Sequence, residues 1–211
     1  MSEAKQAVEI EIKVRLASFM DYLKLVGYLG QIESEDHHIN GFFDTEDRQL
    51  AKGGWALRVR ADDHKGIVTA KSIDQNSGMA AIRQEIEAEI PRSTALEILA
   101  LRYDVLKLEI MPIEFVRSKF PQAQLAKLIQ FENTRQKKLF RICDHNYLLE
   151  VDTTKYNDGS VEYELEVELS NPELISTVED HLRKLFASLG IPFEKQADSK
   201  FARGLKKARI F

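Results

Sequence analysis

The sequence predicts an α+β fold: a closed eight-stranded antiparallel β-barrel with a charged lumen and helices packed on the outside. Three observations carry this. Alternation of apolar and polar residues recurs near residues 7–16, 32–43, 55–62, 66–73, 80–90, 127–142, 147–155 and 160–170, the period-two pattern of strands whose two faces differ. The short links at 62–66 (DDHKG), 143–146 (CDHN) and 156–159 (YNDG) carry turn chemistry, so most neighbours are joined as antiparallel hairpins. Eight strands suffice to close a barrel, and the amphipathic helices between them need an apolar sheet surface to cover.

The first strand, AVEIEIKVRL at 7–16, places Glu9, Glu11, Lys13 and Arg15 on one face and Val8, Ile10, Ile12 and Val14 on the other. The two glutamates then stand about 6.5 Å apart on the same side. Taken alone, this fits a strand with its charged face in water as well as one with its charges turned inward. SFMDYLKLVGYLG predicts a helix with Phe19, Tyr22, Leu23, Val26 and Leu29 at helical spacing, Ser18 as cap and Gly30 as stop. Residues 93–120 read as helices broken near Pro112 and again at Pro121, and 171–190 as a helix with Asn171 as cap, Pro172 in the first turn and Gly190 at the end. A last short helix covers 197–208.

A chain of 211 residues with 44% hydrophobic and 30% charged residues can bury a substantial core, and 1–211 reads as one domain. The net charge of −4 gives no footprint for duplex nucleic acid, although local basic clusters could hold a smaller polyanion. The one cysteine, Cys143, excludes an intrachain disulfide framework and fits a reducing compartment. In its strand it reads as a small buried hydrophobe. The start, MSEAKQ, has no apolar signal core, and nowhere do 18 apolar residues run together. The expectation is a soluble cytoplasmic protein with no membrane partner.

The charged face recurs along the chain. WALRVR offers Arg58 and Arg60, TAKS offers Lys71, and IRQEIEAEI offers Arg83, Glu85, Glu87 and Glu89. Arg135 and Lys137 follow, then Glu150 and Asp152, then Glu164, Glu166 and Glu168. With the apolar faces outward beneath helices, these charges line the inside. Like charges opposite each other destabilise a sheet, and low-dielectric walls worsen the repulsion. Acidic clusters ask for hard divalent cations held by oxygen, and basic clusters for a polyanion such as phosphate. A lumen with both reads as a site for metal-bound polyphosphate.

The E-x-E-x-K opening of Glu9, Glu11 and Lys13 is followed in order by FFDTED, LRVR, Lys71, RQEIE, the Arg135 strand, LEVDTTKY, ELEVEL and SKFARGL. Over essentially its whole length the chain resembles the CYTH superfamily, the triphosphate tunnel metalloenzymes. The resemblance implies an eight-stranded tunnel, Mg²⁺ or Mn²⁺ as cofactor, and hydrolysis or cyclisation of triphosphate compounds. It implies that Glu9, Glu11, Glu164 and Glu166 hold metal, with Asp152 and Glu168 as further ligands. Lys13, Arg58, Arg60, Lys71, Arg83, Arg135 and Lys200 would hold phosphates, and Glu9, Glu11, Lys13, Glu164 and Glu166 would form the catalytic set. Glu85, Glu87, Glu150 and Arg203 face the lumen or its mouth.

The substrate expected first is inorganic tripolyphosphate, cleaved to pyrophosphate and phosphate, because no added domain or insertion points to an organic moiety. Thiamine triphosphatase and class IV adenylate cyclase are alternatives. A non-catalytic polyphosphate- or nucleotide-binding module is the alternative of another class, against which stands the complete acidic set. Arg15 is lumenal or solvated. His37 and His38 point to opposite faces and read as structural or solvent-facing rather than as metal ligands. Trp55 reads as a mouth or core aromatic rather than a base-stacking platform, and KKAR at 206–209 as a solvated helix end that could also attract anions.

Overall fold

The computed structural model describes residues 5–72, 75–77 and 80–208. Along the chain run β1 (Lys5–Leu16), α1 (Phe19–Leu29), β2 (Ser34–Asp44), α2 (Gln49–Lys52), β3 (Trp55–Ala61), β4 (Lys65–Ser72), the short β5 (Gln75–Ser77) and β6 (Ala80–Pro91). Then come α3 (Arg92–Leu99), α4 (Met111–Lys119), β7 (Ala126–Ile142), β8 (His145–Tyr156), β9 (Val161–Glu168), α5 (Ile175–Leu189), the two-residue β10 (Glu194–Lys195) and α6 (Lys200–Lys207). Eight strands follow one another in the order β1-β9-β8-β7-β2-β3-β4-β6. Pairing of β6 back onto β1, from Lys5 opposite Glu87 to Ile12 opposite Ala80, closes the ring. β5 and β10 add to it as short flanking pieces.

The side-chain alternation decides which face points out. Along β3 the buried residues are Trp55, Leu57, Val59 and Ala61, with Ala56, Arg58 and Arg60 half-buried between them. The apolar faces form two cores outside the barrel wall. Ile12, Val14, Leu149, Leu165 and Val167 pack under Leu25 of α1 and Val178, Leu182 and Phe186 of α5. Leu57, Val59, Val68, Ile86 and Ile90 pack under Leu50, Ala95, Ile98, Ile113 and Val116 of α2, α3 and α4. A third cluster, Phe42, Ile129, Phe131 and Tyr156, is covered by Phe201 and Leu205 of α6. Gly204 permits that docking, since a Cβ there would come within 2.5 Å of Ile129 Cδ1.

Local chemistry explains the boundaries. The Ser18 Oγ accepts from the Asp21 N–H at 3.2 Å and opens α1. Its buried stripe runs through Leu25 and Leu29, while Phe19 and Leu23 stay exposed. The FFDTED segment builds α2, a helix the periodicity did not announce. The buried Asp44 carboxylate accepts from the backbone N–H groups of Thr45 (2.7 Å), Leu50 (2.8 Å) and Ala51 (3.1 Å). In the 93–120 region α3 stops at Leu99, a 3₁₀ turn covers Val105–Lys107, and α4 restarts at Met111. Pro112 therefore opens a helix rather than breaking one, because a first-turn N–H has no intrahelical partner to lose. Asn171 caps a 3₁₀ turn, Pro172–Leu174, ahead of α5, and Gly190 ends α5 at φ 62°.

Cys143 is a correction. Pairing of β7 with β8 continues to Ile142 opposite His145, so Cys143 and Asp144 must make the turn. Cys143 takes φ 53° and is exposed, not buried in a strand. Among the described residues no helix is long and apolar enough to cross a membrane.

The outer cores set stability. Leu182 is fully buried between α5 and the wall, and Leu182→Ala is expected to cost about 2–5 kcal/mol in urea unfolding. A loss under about 1 kcal/mol would mean that α5 contributes little to holding the barrel.

Candidate active site in the tunnel

Strand register places the charges. Opposite signs face each other at Lys13–Glu166, Glu9–Arg83, Lys71–Glu85 and Arg135–Asp152. Like signs face each other at Asp152–Glu164, Glu150–Glu166 and Glu11–Glu168. Acid is thus concentrated where β8, β9 and β1 adjoin. Asp152, Glu164, Glu166 and Glu11 are all buried, and so are Lys13, Arg83 and Arg203.

Charges on the same and neighbouring strands, and on α6, neutralise each other. Lys13 Nζ lies 2.9 Å from Glu11 Oε1 and 3.1 Å from Glu166 Oε1, and Arg83 lies 3.2 Å from Glu11. Lys71 joins Glu9 at 2.6 Å and also meets Glu85. Arg135 donates to Asp152 through Nε (2.8 Å) and Nη2 (2.6 Å) and also reaches Glu150 and Glu166. From α6, Lys200 lies 2.7 Å from Asp152 and 2.9 Å from Glu166 and touches Glu164. Arg203, one turn on, reaches Glu164 at 2.7 Å and Glu162 at 2.6 Å. Each acidic row is interleaved with cations from its own or neighbouring strands and from α6.

These contacts move the titrations. Burial alone would raise Asp152, but Arg135 and Lys200 outweigh it and hold the carboxyl well below the usual range. Burial likewise opposes ionisation of Glu9, which Lys71 nevertheless holds low. Glu150 goes the other way: burial raises it, Glu166 and Asp152 add to the rise, and Arg135 does not compensate. Burial, then Arg58 and Arg135, bring Arg60 down to about 9.

Two arginines are differently placed. Among the described residues Arg60 has no carboxylate within ion-pair distance and donates from Nε to Asn40 at 3.0 Å. Arg58 gives one bond to Thr69 at 3.0 Å, stands 3.8 Å from Glu87, and keeps a buried Nε with no hydrogen-bond partner. Both border a cavity of about 470 Å³ shared with Glu9, Glu11, Lys13, Lys71, Arg83, Arg135, Glu166 and Lys200. Asp152, Glu164 and Glu166 offer oxygens within 4.8 Å of one another, all buried. That all-oxygen set suits a hard divalent cation. Glu11 Oε1 on the adjoining strand is buried and lies within ion-pair distance of Lys13 and Arg83.

Every tunnel residue read from the sequence faces this lumen or its rim except Arg15, which is solvated beside Glu194 at 3.9 Å. Glu168 lies opposite Glu11 but is exposed and stands outside the buried trio. Trp55 is buried against Phe115 at 4.4 Å and borders the cavity mouth. Lys206 pairs with Asp198 and Lys207 with Glu162, while Arg209 lies outside the described residues. His37 is solvent-facing. His38 was missed as a tunnel neighbour: it is buried, its Nδ1 has no hydrogen-bond partner, and it shares the strand face of Asn40 and Phe42. The parity of 38, 40 and 42 was the available signal. Asn40, Phe42, Phe131 and Asn133 also border the cavity, and being uncharged they stood outside the pattern followed.

Comparison with known proteins agrees with this geometry. The family model for the CYTH domain matches residues 7–201. HpAC1 from Hippeastrum, named as an adenylyl cyclase and described as having a dominant triphosphatase activity, superposes with a TM-score of 0.82 at 29% identity, covering 94% of this chain and 95% of that one. A protein from Bacillus halodurans named as an adenylate cyclase shares the fold with a TM-score of 0.70 at 21% identity, over 94% of this chain and 97% of its own. PH1819 from Pyrococcus horikoshii OT3 shares it with a TM-score of 0.60 at 18% identity, over 93% and 99%. No curated protein matches the chain.

His38 yields a pH prediction. Burial, then Arg60 and Arg135, push its imidazole from 6.5 down to about 3. Between those values the unfolded chain binds a proton that the folded chain refuses, so stability falls as pH drops through the window. In His38→Gln the slope of stability against pH is expected to be shallower there by up to about 1.4 kcal/mol per pH unit. Identical slopes in urea titrations would show that the imidazole titrates alike in both states.

Proposed function

The chain belongs to the CYTH domain family, and from that premise we propose that it hydrolyses small-molecule triphosphates with a divalent cation, Mg²⁺ or Mn²⁺, taking inorganic tripolyphosphate to pyrophosphate and phosphate. One observation carries the reading. Guanidinium donors that no carboxylate satisfies, on Arg58 and Arg60, border the same cavity as the acidic wall. A pure anion binder has no use for that acid, and a pure cation binder none for those donors. The activity described for HpAC1, at 29% identity and near-complete coverage, supports it.

Asp152, Glu164 and Glu166, with Glu9 and Glu11 on the adjoining strand, are the residues that would hold the cation. Bound there, it would neutralise phosphate charge and acidify a water. The chain's own residues do the rest. Arg58 and Arg60 receive the triphosphate oxygens, and Lys71, Arg83 and Arg135 extend that wall. Their charge offsets what spreads over the transferred phosphoryl group and the departing pyrophosphate. Lys13 holds Glu11 and Glu166 toward each other. Water accepts the phosphoryl group, and no side-chain nucleophile is required. Phe42, Phe131 and Phe201 at the same cavity favour a second reading, an organic triphosphate such as thiamine triphosphate or ATP.

The test is a substrate panel with Mg²⁺, Mn²⁺ or chelator. Tripolyphosphate is expected to release phosphate only with metal. Cyclic AMP from ATP would instead assign a cyclase, and thermal stabilisation without turnover of any triphosphate would assign a binding module.

Two variants separate the walls. Arg58→Ala is expected to weaken tripolyphosphate binding about tenfold to a hundredfold, the worth of a charge-assisted contact of about 1.5–3 kcal/mol, with metal binding unchanged. Glu164→Gln/Glu166→Gln, checked by melting, is expected to lose turnover by several powers of ten yet keep a tripolyphosphate-induced thermal shift. Normal turnover in the double variant would remove these glutamates from the reaction.

A further inference from the structure

Asp152, Glu164 and Glu166 converge on the ammonium nitrogen of Lys200 at the start of α6, while Arg135, Arg203 and Lys13 approach one or two of them each. The Lys200 nitrogen lies 2.7 Å from Asp152 Oδ2 and 2.9 Å from Glu166 Oε1 and contacts Glu164 Oε1 as well. An ammonium has three donors and no acceptor, so three carboxylate oxygens satisfy it completely. The same three carboxylates are the donor set that a hard cation would take at about 2.0–2.6 Å, and the oxygens on the ammonium are the ones turned toward a common point. A divalent ion at that distance from all three would overlap the nitrogen. Both cannot be present together.

We propose that Lys200 is a built-in placeholder: its ammonium and the divalent cation occupy the Asp152–Glu164–Glu166 site in turn. Lys200 is carried by a helix end rather than by the barrel wall, so it can leave without breaking a strand. What keeps α6 in place without it is the stacking of Phe201 on Phe42, centroids 4.5 Å apart, and the Arg203 pairs with Glu164 and Glu162. The exchange trades one positive charge for two among three carboxylates. It also delivers the freed ammonium into the cavity bordered by Arg58 and Arg60, where an incoming anion would meet it. The acidic site is thus never bare, and loading it arms the basic wall. This rests on the metal reading of the proposed function.

The test uses the full chain without substrate. Free Mn²⁺ is followed by electron paramagnetic resonance for the wild type, Lys200→Met and Lys13→Met, and amide exchange of α6 is followed in the wild type with and without Mn²⁺. If the ammonium fills the site about nine-tenths of the time, its removal tightens Mn²⁺ binding about tenfold. Lys13→Met removes the same charge without vacating the position and is expected to gain less. In the wild type, Mn²⁺ is expected to speed exchange of the α6 amides, a readout that needs no variant to fold. Equal or weaker Mn²⁺ binding by a folded Lys200→Met, or α6 exchange indifferent to Mn²⁺, would overturn the placeholder alone. Absence of Mn²⁺ binding in all three proteins at millimolar ion would overturn both the placeholder and the metal reading.

Discussion

A charge taken out of water must meet an opposite charge or cost several kcal/mol, and the inside of this barrel is built around that requirement. Strand register supplies most of the answer: Lys13 faces Glu166, Arg83 faces Glu9, Lys71 faces Glu85 and Arg135 faces Asp152. It cannot supply all of it, because Glu164 and Glu166 stand beside Asp152 and Glu150. The remaining acid is met from outside the sheet, by Lys200 and Arg203 on the last helix. Docking of α6 is therefore part of the tunnel's electrostatics as well as a hydrophobic contact.

The same constraint places the cores. A barrel whose interior is mostly ionic has little apolar centre, so apart from the Phe42–Phe131 cluster under α6 its hydrophobic residues are buried outside the wall. Two helical layers do this, α1 with α5 on one flank and α2, α3 and α4 on another. Stability and chemistry are thereby separated by the thickness of one strand: Leu165 is fully buried outward between Glu164 and Glu166, which point inward.

Much of this was legible in the sequence because period-two alternation reads directly as two faces. Glu9, Glu11, Arg58, Arg60, Arg83, Glu164 and Glu166 followed from parity alone once the helices required the apolar face. Three kinds of feature did not follow. The pairing partner of each charge depends on register across strands far apart in sequence, which no local pattern encodes. Uncharged lumenal residues such as Asn40 and Phe131, and the buried His38, carry no mark that separates them from a solvent face. Cys143 was misplaced because a turn depends on where strand pairing ends, one residue away from where composition suggests. The FFDTED segment shows the converse: a motif quoted for family likeness whose Asp44 works as a backbone anchor for α2.

The two ends of the tunnel are unequal. At the end where β2 and β8 finish, Phe42, Phe131 and Tyr156 make an apolar lip on which Phe201 and Leu205 rest. At the other end the rim carries exposed or half-exposed pairs, Lys65 with Glu89 and Lys137 with Asp36. Water screens the charged rim, so those pairs hold little energy. The apolar lip excludes water, so the ion pairs just beneath it, Arg203–Glu164 and Lys200–Asp152, act in a lower dielectric and at greater strength. These electrostatic contacts thus lie directly under α6, a helix joined to the barrel by side chains rather than by strand pairing. A displaced α6 would lose its apolar seal and its ion pairs together, and the acidic trio would regain solvent at the same moment. Apolar sealing, desolvation and charge pairing are coupled in this fold because a single helix carries side chains for all three.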